Sequence, residues 1–133
     1  MDTFQPPSPI PHPHSPRVLL IQPQWPARAL LKAELEEAGW EVLGADTSRL
    51  AIDLTTARGF RPDAVVVDTV GLSVDAADLQ ELQFMRGRAP LLLLQSSQYD
   101  PPDAALSPSA VLRRPFTIGD VVNALRQLLT RSC

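Results

Sequence analysis

At 133 residues and 14.5 kDa the chain has the size of one domain with one proper core. Hydrophobic residues at 44% and charged residues at 20% exclude wholesale disorder and a disulfide scaffold. The net charge of -3, with eleven arginines and one lysine that read as scattered along the sequence, argues against a basic stripe for a nucleic-acid backbone.

The chain opens with six prolines in its first sixteen residues, MDTFQPPSPIPHPHSP, which predicts an extended, partly polyproline II tail over 1–16. His12 and His14 lie in that tail, and two ligands without a third do not make a metal site. A domain over 17–131 follows. Val18 to Ile21 is a short apolar run that reads as a strand buried on both faces, stopped at Pro23. From Pro26 the residues Ala27, Leu30, Leu31, Leu35 and Ala38 recur at helical spacing, and Gly39 is placed as a stop, which predicts a helix over 26–38. Trp40 to Ala45 reads as a second strand. Thr47 or Ser48 then caps a helix to about Arg58 that packs Leu50, Leu54 and Ala57 and ends at Gly59.

Ala64 to Val67, ending in Asp68, is a third strand with three consecutive valines. A loop over 69–74 leads to a helix over 75–86 with Ala76, Leu79, Leu82 and Met85 or Phe84 on one face. Leu91 to Leu94 is a bounded apolar run, read as a fourth strand. Three prolines within 96–109 leave space for about one helical turn. Ala110 to Leu112 makes a short fifth strand, and Thr117 with Asp120 forms a capping box for a last helix packing Val121, Val122, Leu125, Leu128 and Leu129. The lone cysteine, Cys133, permits no internal disulfide and fits a reducing compartment. No apolar run is long enough for a membrane span and no signal peptide is evident, so the expected location is the cytoplasm, with neither membrane nor nucleic acid as a partner.

Strands and helices in strict alternation predict a doubly wound parallel sheet with helices on both faces. Sites in such sheets form beyond the carboxyl ends of the strands, which directs attention to Gln22, Pro23, Asp68, Gln95, Ser96, Arg113 and Arg114. Elsewhere the sequence carries no Gly-rich phosphate loop, no nucleophile elbow and no histidine outside the tail, so no enzyme is expected.

Three segments in the right order and spacing resemble the receiver domain of bacterial two-component response regulators over 17–130. They are RVLLIQ with a helix ending EEAGWEV, then RPDAVVVD, then RRPFTIGDVVNALRQLL. The resemblance implies a flavodoxin-like five-stranded sheet of order 2-1-3-4-5, here with the fourth helix shortened or missing. It places Asp68 where such domains accept a phosphoryl group from a histidine kinase. It also implies two acids after the first strand to hold magnesium, a Ser or Thr after the fourth, and a Lys before the proline after the fifth. Those positions hold Gln22 and Pro23, Gln95 with Ser96 next, and Arg114, while Leu72 and Ala76 replace the usual proline and glycine of the loop after Asp68.

Phosphoryl transfer depends on neutralising developing charge, largely through the metal, and magnesium takes near-octahedral oxygen ligands. Gln22 offers one neutral oxygen and Pro23 none; Asp46 ends the neighbouring second strand, but nothing in the spacing requires its recruitment. The metal site is therefore expected to be lost, with no cofactor. Arg114 is expected to grip Asp68 as an ion pair. Trp25 and Pro26 flank this degenerate pocket, with Trp25 read as an ordinary partly buried aromatic. The expected function is that of a pseudo-receiver, a phosphorylation-independent signalling module that binds another protein, a separate chain or a second copy of itself. The alternatives are a working receiver phosphorylated on Asp68 and a small-molecule-binding domain of the same fold class.

Overall fold

The computed structural model describes residues 15–69, 76–95 and 107–131. The proline-rich tail up to His14, the loop with Leu72 and Asp75, the 96–106 part of the expected short turn, and Cys133 lie outside the described residues. The elements are β1 (Arg17–Ile21), α1 (Trp25–Glu37), β2 (Glu41–Ala45), α2 (Ser48–Arg58), β3 (Ala64–Asp68), α3 (Ala76–Arg86), β4 (Leu91–Gln95), β5 (Ala110–Arg113) and α4 (Ile118–Arg131). All four strand pairings are parallel and the order is β2-β1-β3-β4-β5, as expected. Among the described residues no helix is long and apolar enough to cross a membrane.

Because side chains alternate across a strand, each apolar run feeds two cores at once. Val18, Leu20, Val66, Leu92 and Leu94 point to one face, where α1 and α4 cover them with Leu31, Leu35, Val121, Leu125 and Leu128. Leu19, Ile21, Val65, Val67, Leu91 and Leu93 point to the other, beneath Ala51 and Ile52 of α2 and Leu82 of α3. Burial on both sides is why these strands read as unbroken apolar runs rather than as an alternation.

The helix ends follow local chemistry. Thr47 accepts a hydrogen bond from Leu50 N at 3.0 Å as the cap of α2, and Gly59 closes that helix in a left-handed conformation at φ 61. Thr117 and Asp120 exchange side-chain-to-backbone bonds of 2.9 and 3.1 Å, forming the expected capping box. On the outside, Arg49 of α2 pairs with Asp53, Asp78 and Glu81, tying α2 to α3 and holding the Glu81 carboxyl below its usual range.

Two helix faces differ from the sequence reading, and in a third the structure chooses between its two alternatives. In α1, Leu31 and Leu35 are buried, whereas Ala27 is exposed and Leu30 is 56% exposed, because only a narrow stripe meets the sheet. In α2 the buried residues are Ser48, Ala51, Ile52 and Thr55, while Leu50 and Ala57 face solvent and Leu54 lies on the flank. Small Ala51 permits close approach, and Thr55 can be buried because its hydroxyl donates to Ile52 O at 2.9 Å. In α3, Met85 packs on the core and Phe84 is 88% exposed. Leu35→Ala should therefore cost about 2–5 kcal/mol in urea unfolding, the range for a buried leucine. Leu30→Ala should stay within about 0.5 kcal/mol, as for an exposed position; equal costs would contradict this assignment of faces.

Candidate functional site

The chain leaves β1 for one side of the sheet and returns on the other to form β3, so the crevice between their carboxyl ends is the switch point. Strand parity fills it. Gln22 continues the row of Val18 and Leu20, Asp68 that of Ala64 and Val66, and Arg114 that of Ala110 and Leu112. All three rows face α1 and α4. The register sets Ile21 beside Val67 and Asp68 beside Leu94, which in turn pairs with Leu112. Arg114 thus starts two strands away and two residues further on, and its long stem spans that offset.

The Asp68 side chain is fully buried, and the pairing expected from the strand ends is present: Arg114 Nη2 donates to Asp68 Oδ2 at 2.5 Å. Gln22 Nε2 donates to the same oxygen. The Gln22 amide is oriented by its other end, where Oε1 accepts from Gln24 N at 3.0 Å, so the nitrogen rather than the oxygen faces the carboxylate. The Arg114 guanidinium also lies over the Phe116 ring, 4.8 Å from its centroid, and its backbone N–H donates to Gln95 O at 2.9 Å. Arg114 itself remains 37% exposed, so water reaches one side of the pair.

Two contributors escaped the sequence reading. Arg28, read as part of the polar face of α1, donates from Nη1 to the backbone oxygen of Gln22 at 2.8 Å and lays its stem over Gly44 of β2. Phe116 supplies the ring beneath Arg114. The only signal for either is position: Arg28 stands one turn into the helix that follows Gln22, and Phe116 two residues beyond Arg114.

Other expected site residues fall elsewhere. Gln95 is fully buried, but its parity is that of Leu91 and Leu93, which line the opposite layer. Arg113 is exposed at the end of β5, Pro23 is half-buried at the mouth, and Ser96 lies outside the described residues. Trp25 corrects the expectation of a partly buried aromatic. At the first position of α1 it is 67% exposed, because the stripe of that helix that meets the sheet runs through Leu31 and Leu35.

No family model matches the chain, and no curated protein matches it in sequence. Solved structures do. A response regulator receiver protein of Sinorhizobium medicae superposes with a TM-score of 0.70 at 20% identity, covering 90% of this chain and 98% of that one. A receiver protein of Burkholderia phymatum gives 0.69 at 19% identity, over 87% and 96%. The chemotaxis response regulator CheY4 of Vibrio cholerae gives 0.65 at 23% identity, over 86% and 98%. The fold is therefore the one seen in receiver domains.

The divalent cation that such a likeness implies does not fit the donors present at this switch point. Among the described residues Asp68 is the buried carboxylate there, and its Oδ2 already takes N–H bonds from a cation and an amide. Gln22 turns its nitrogen inward, and Pro23 brings no side-chain ligand. Asp46 is exposed past the end of β2. Metal ions need several free oxygens at one point.

Removing either charge leaves the other stranded. Arg114→Ala should cost about 3 kcal/mol, the low end for breaking a buried pair, since its guanidinium is partly hydrated. In a double-mutant cycle with Asp68→Asn, the coupling should exceed about 0.5 kcal/mol in urea unfolding, the scale for residues in contact. Additive effects would show that the pair contributes nothing specific.

Proposed function

We propose that this chain is a pseudo-receiver, a signalling module with the receiver fold that works without phosphorylation, by binding another protein. The observation that carries this reading is the engagement of the Asp68 carboxylate. A phosphoacceptor must present a free carboxylate oxygen to phosphorus while a metal ion neutralises the developing charge. Here the residue at that strand end is buried and one of its oxygens is held by Arg114 and Gln22. A guanidinium holds a carboxylate through a rigid fork of donors, and with the Gln22 amide on the same oxygen it fixes Asp68 in one arrangement. With that site fixed, recognition rather than chemistry is left for the surface to perform. The likeness to receiver domains of two-component signalling supports a protein partner, and with it a cytoplasmic setting.

Acetyl phosphate tests this directly. Attack of the Asp68 carboxylate on its phosphorus, with departure of acetate, would add one phosphate to the intact mass. With magnesium in excess, the parent chain should show no such gain. A gain that Asp68→Asn abolishes would establish a working receiver instead.

A further inference from the structure

The arginines that read as scattered in the sequence are gathered by the fold. At the amino ends of the strands, opposite Asp68, a cleft of about 620 Å³ is lined by Arg17, Arg61, Arg86, Arg88, Phe60 and Phe84. A smaller cleft of about 200 Å³ shares Arg17 and Phe60 with it and adds Arg58 and Glu41. Five of the twelve basic residues thus line these two adjoining clefts, taken together as one groove, against two acids, Asp63 and Glu41, a local excess of three positive charges on a chain whose net charge is -3.

Part of this charge is structural. Arg17 pairs with Glu41 at 3.1 Å, and Arg86 donates to Ala89 O and to Gln83. Arg58, Arg61 and Arg88, in contrast, are exposed, and none makes an ion pair or side-chain hydrogen bond among the described residues. Beside Arg61 and Arg88 stands the Phe84 ring, 88% exposed in the last turn of α3. Unpaired guanidinium groups around an accessible aromatic have the make-up of a protein-binding hot spot.

We infer that this groove docks an acidic segment of a partner protein that carries an apolar anchor, its carboxylates meeting Arg58, Arg61 and Arg88 and its anchor packing on Phe84. Charge complementarity selects this occupant. The chain's own residues 1–14, which precede β1 in the sequence, contain a single acid, Asp2, and do not match the groove. The assignment rests on the reading of the chain as a protein-binding module, and the two fail separately. A phosphate-sized mass gain defeats that reading, whereas the groove is tested by binding alone.

The probe is a labelled dodecapeptide of alternating Asp and Glu with one central Phe, titrated into the full chain by anisotropy and amide NMR. Saturable binding is expected, with shifts confined to 58–63 and 84–89 and weakening in salt. Arg61→Gln with Arg88→Gln should lower affinity at least about tenfold, and Phe84→Ser should also weaken it. All three positions are exposed, so the fold is retained, which circular dichroism checks. Shifts absent from the groove, equal binding of a Phe-free peptide, or equal binding of a single-stranded oligonucleotide would each overturn the assignment. So would groove shifts on deletion of residues 1–14, which would make the tail its occupant.

Discussion

A carboxylate with no exposure to water must find its counter-charge inside the protein, and Asp68 finds it in Arg114. Desolvating a lone carboxylate costs several kcal/mol after relaxation, so the residues around it are constrained by that charge. Gln22 turns its amide nitrogen toward the same oxygen, Gln24 fixes that amide from behind, and Arg28 holds the Gln22 backbone. Arg114 in turn lies on Phe116 at the entry to α4. One buried charge thereby ties the ends of β1, β3 and β5 to the starts of α1 and α4.

The same core that buries Asp68 decides what each end of the sheet can do. Parity drives Gln22, Asp68 and Arg114 to the α1/α4 face, where their polar groups satisfy one another. The Asp68 charge at the carboxyl end is thus answered from within. At the amino end the loops after α2 and α3 carry Arg61 and Arg88 into solvent, with positive charge that the described residues leave unanswered. The exposed Phe84 ring lies at that same amino end, away from the switch point.

The sheet was legible because strands buried on both faces leave continuous apolar runs, such as Val18 to Ile21 and Leu91 to Leu94, between clear breakers. Helix ends were legible where chemistry is local, as at Thr47, Gly59 and the Thr117–Asp120 box. Helix faces were less so. In α2 the leucines 50 and 54 outweighed Ala51 and Thr55 by hydrophobicity alone, yet close approach and a satisfied hydroxyl decided burial. The Asp68–Arg114 contact followed from strand ends, but Arg28 and Phe116 did not, since their roles depend on side-chain reach across elements. Nor did the arginine groove, because residues 17, 58, 61, 86 and 88 are joined only by the folding of two crossovers.

Arg114 and Gln22 hold Asp68 through one carboxylate oxygen, and the reading of the chain depends on whether a metal ion can displace them. The most direct measurement is an amide NMR titration of the chain with millimolar magnesium, with and without beryllofluoride. No change is expected at Gln22, Trp25, Asp68 or Arg114. Saturable shifts localised at these residues would show that the carboxylate is free to bind cation and phosphoryl mimic, and would contradict that reading.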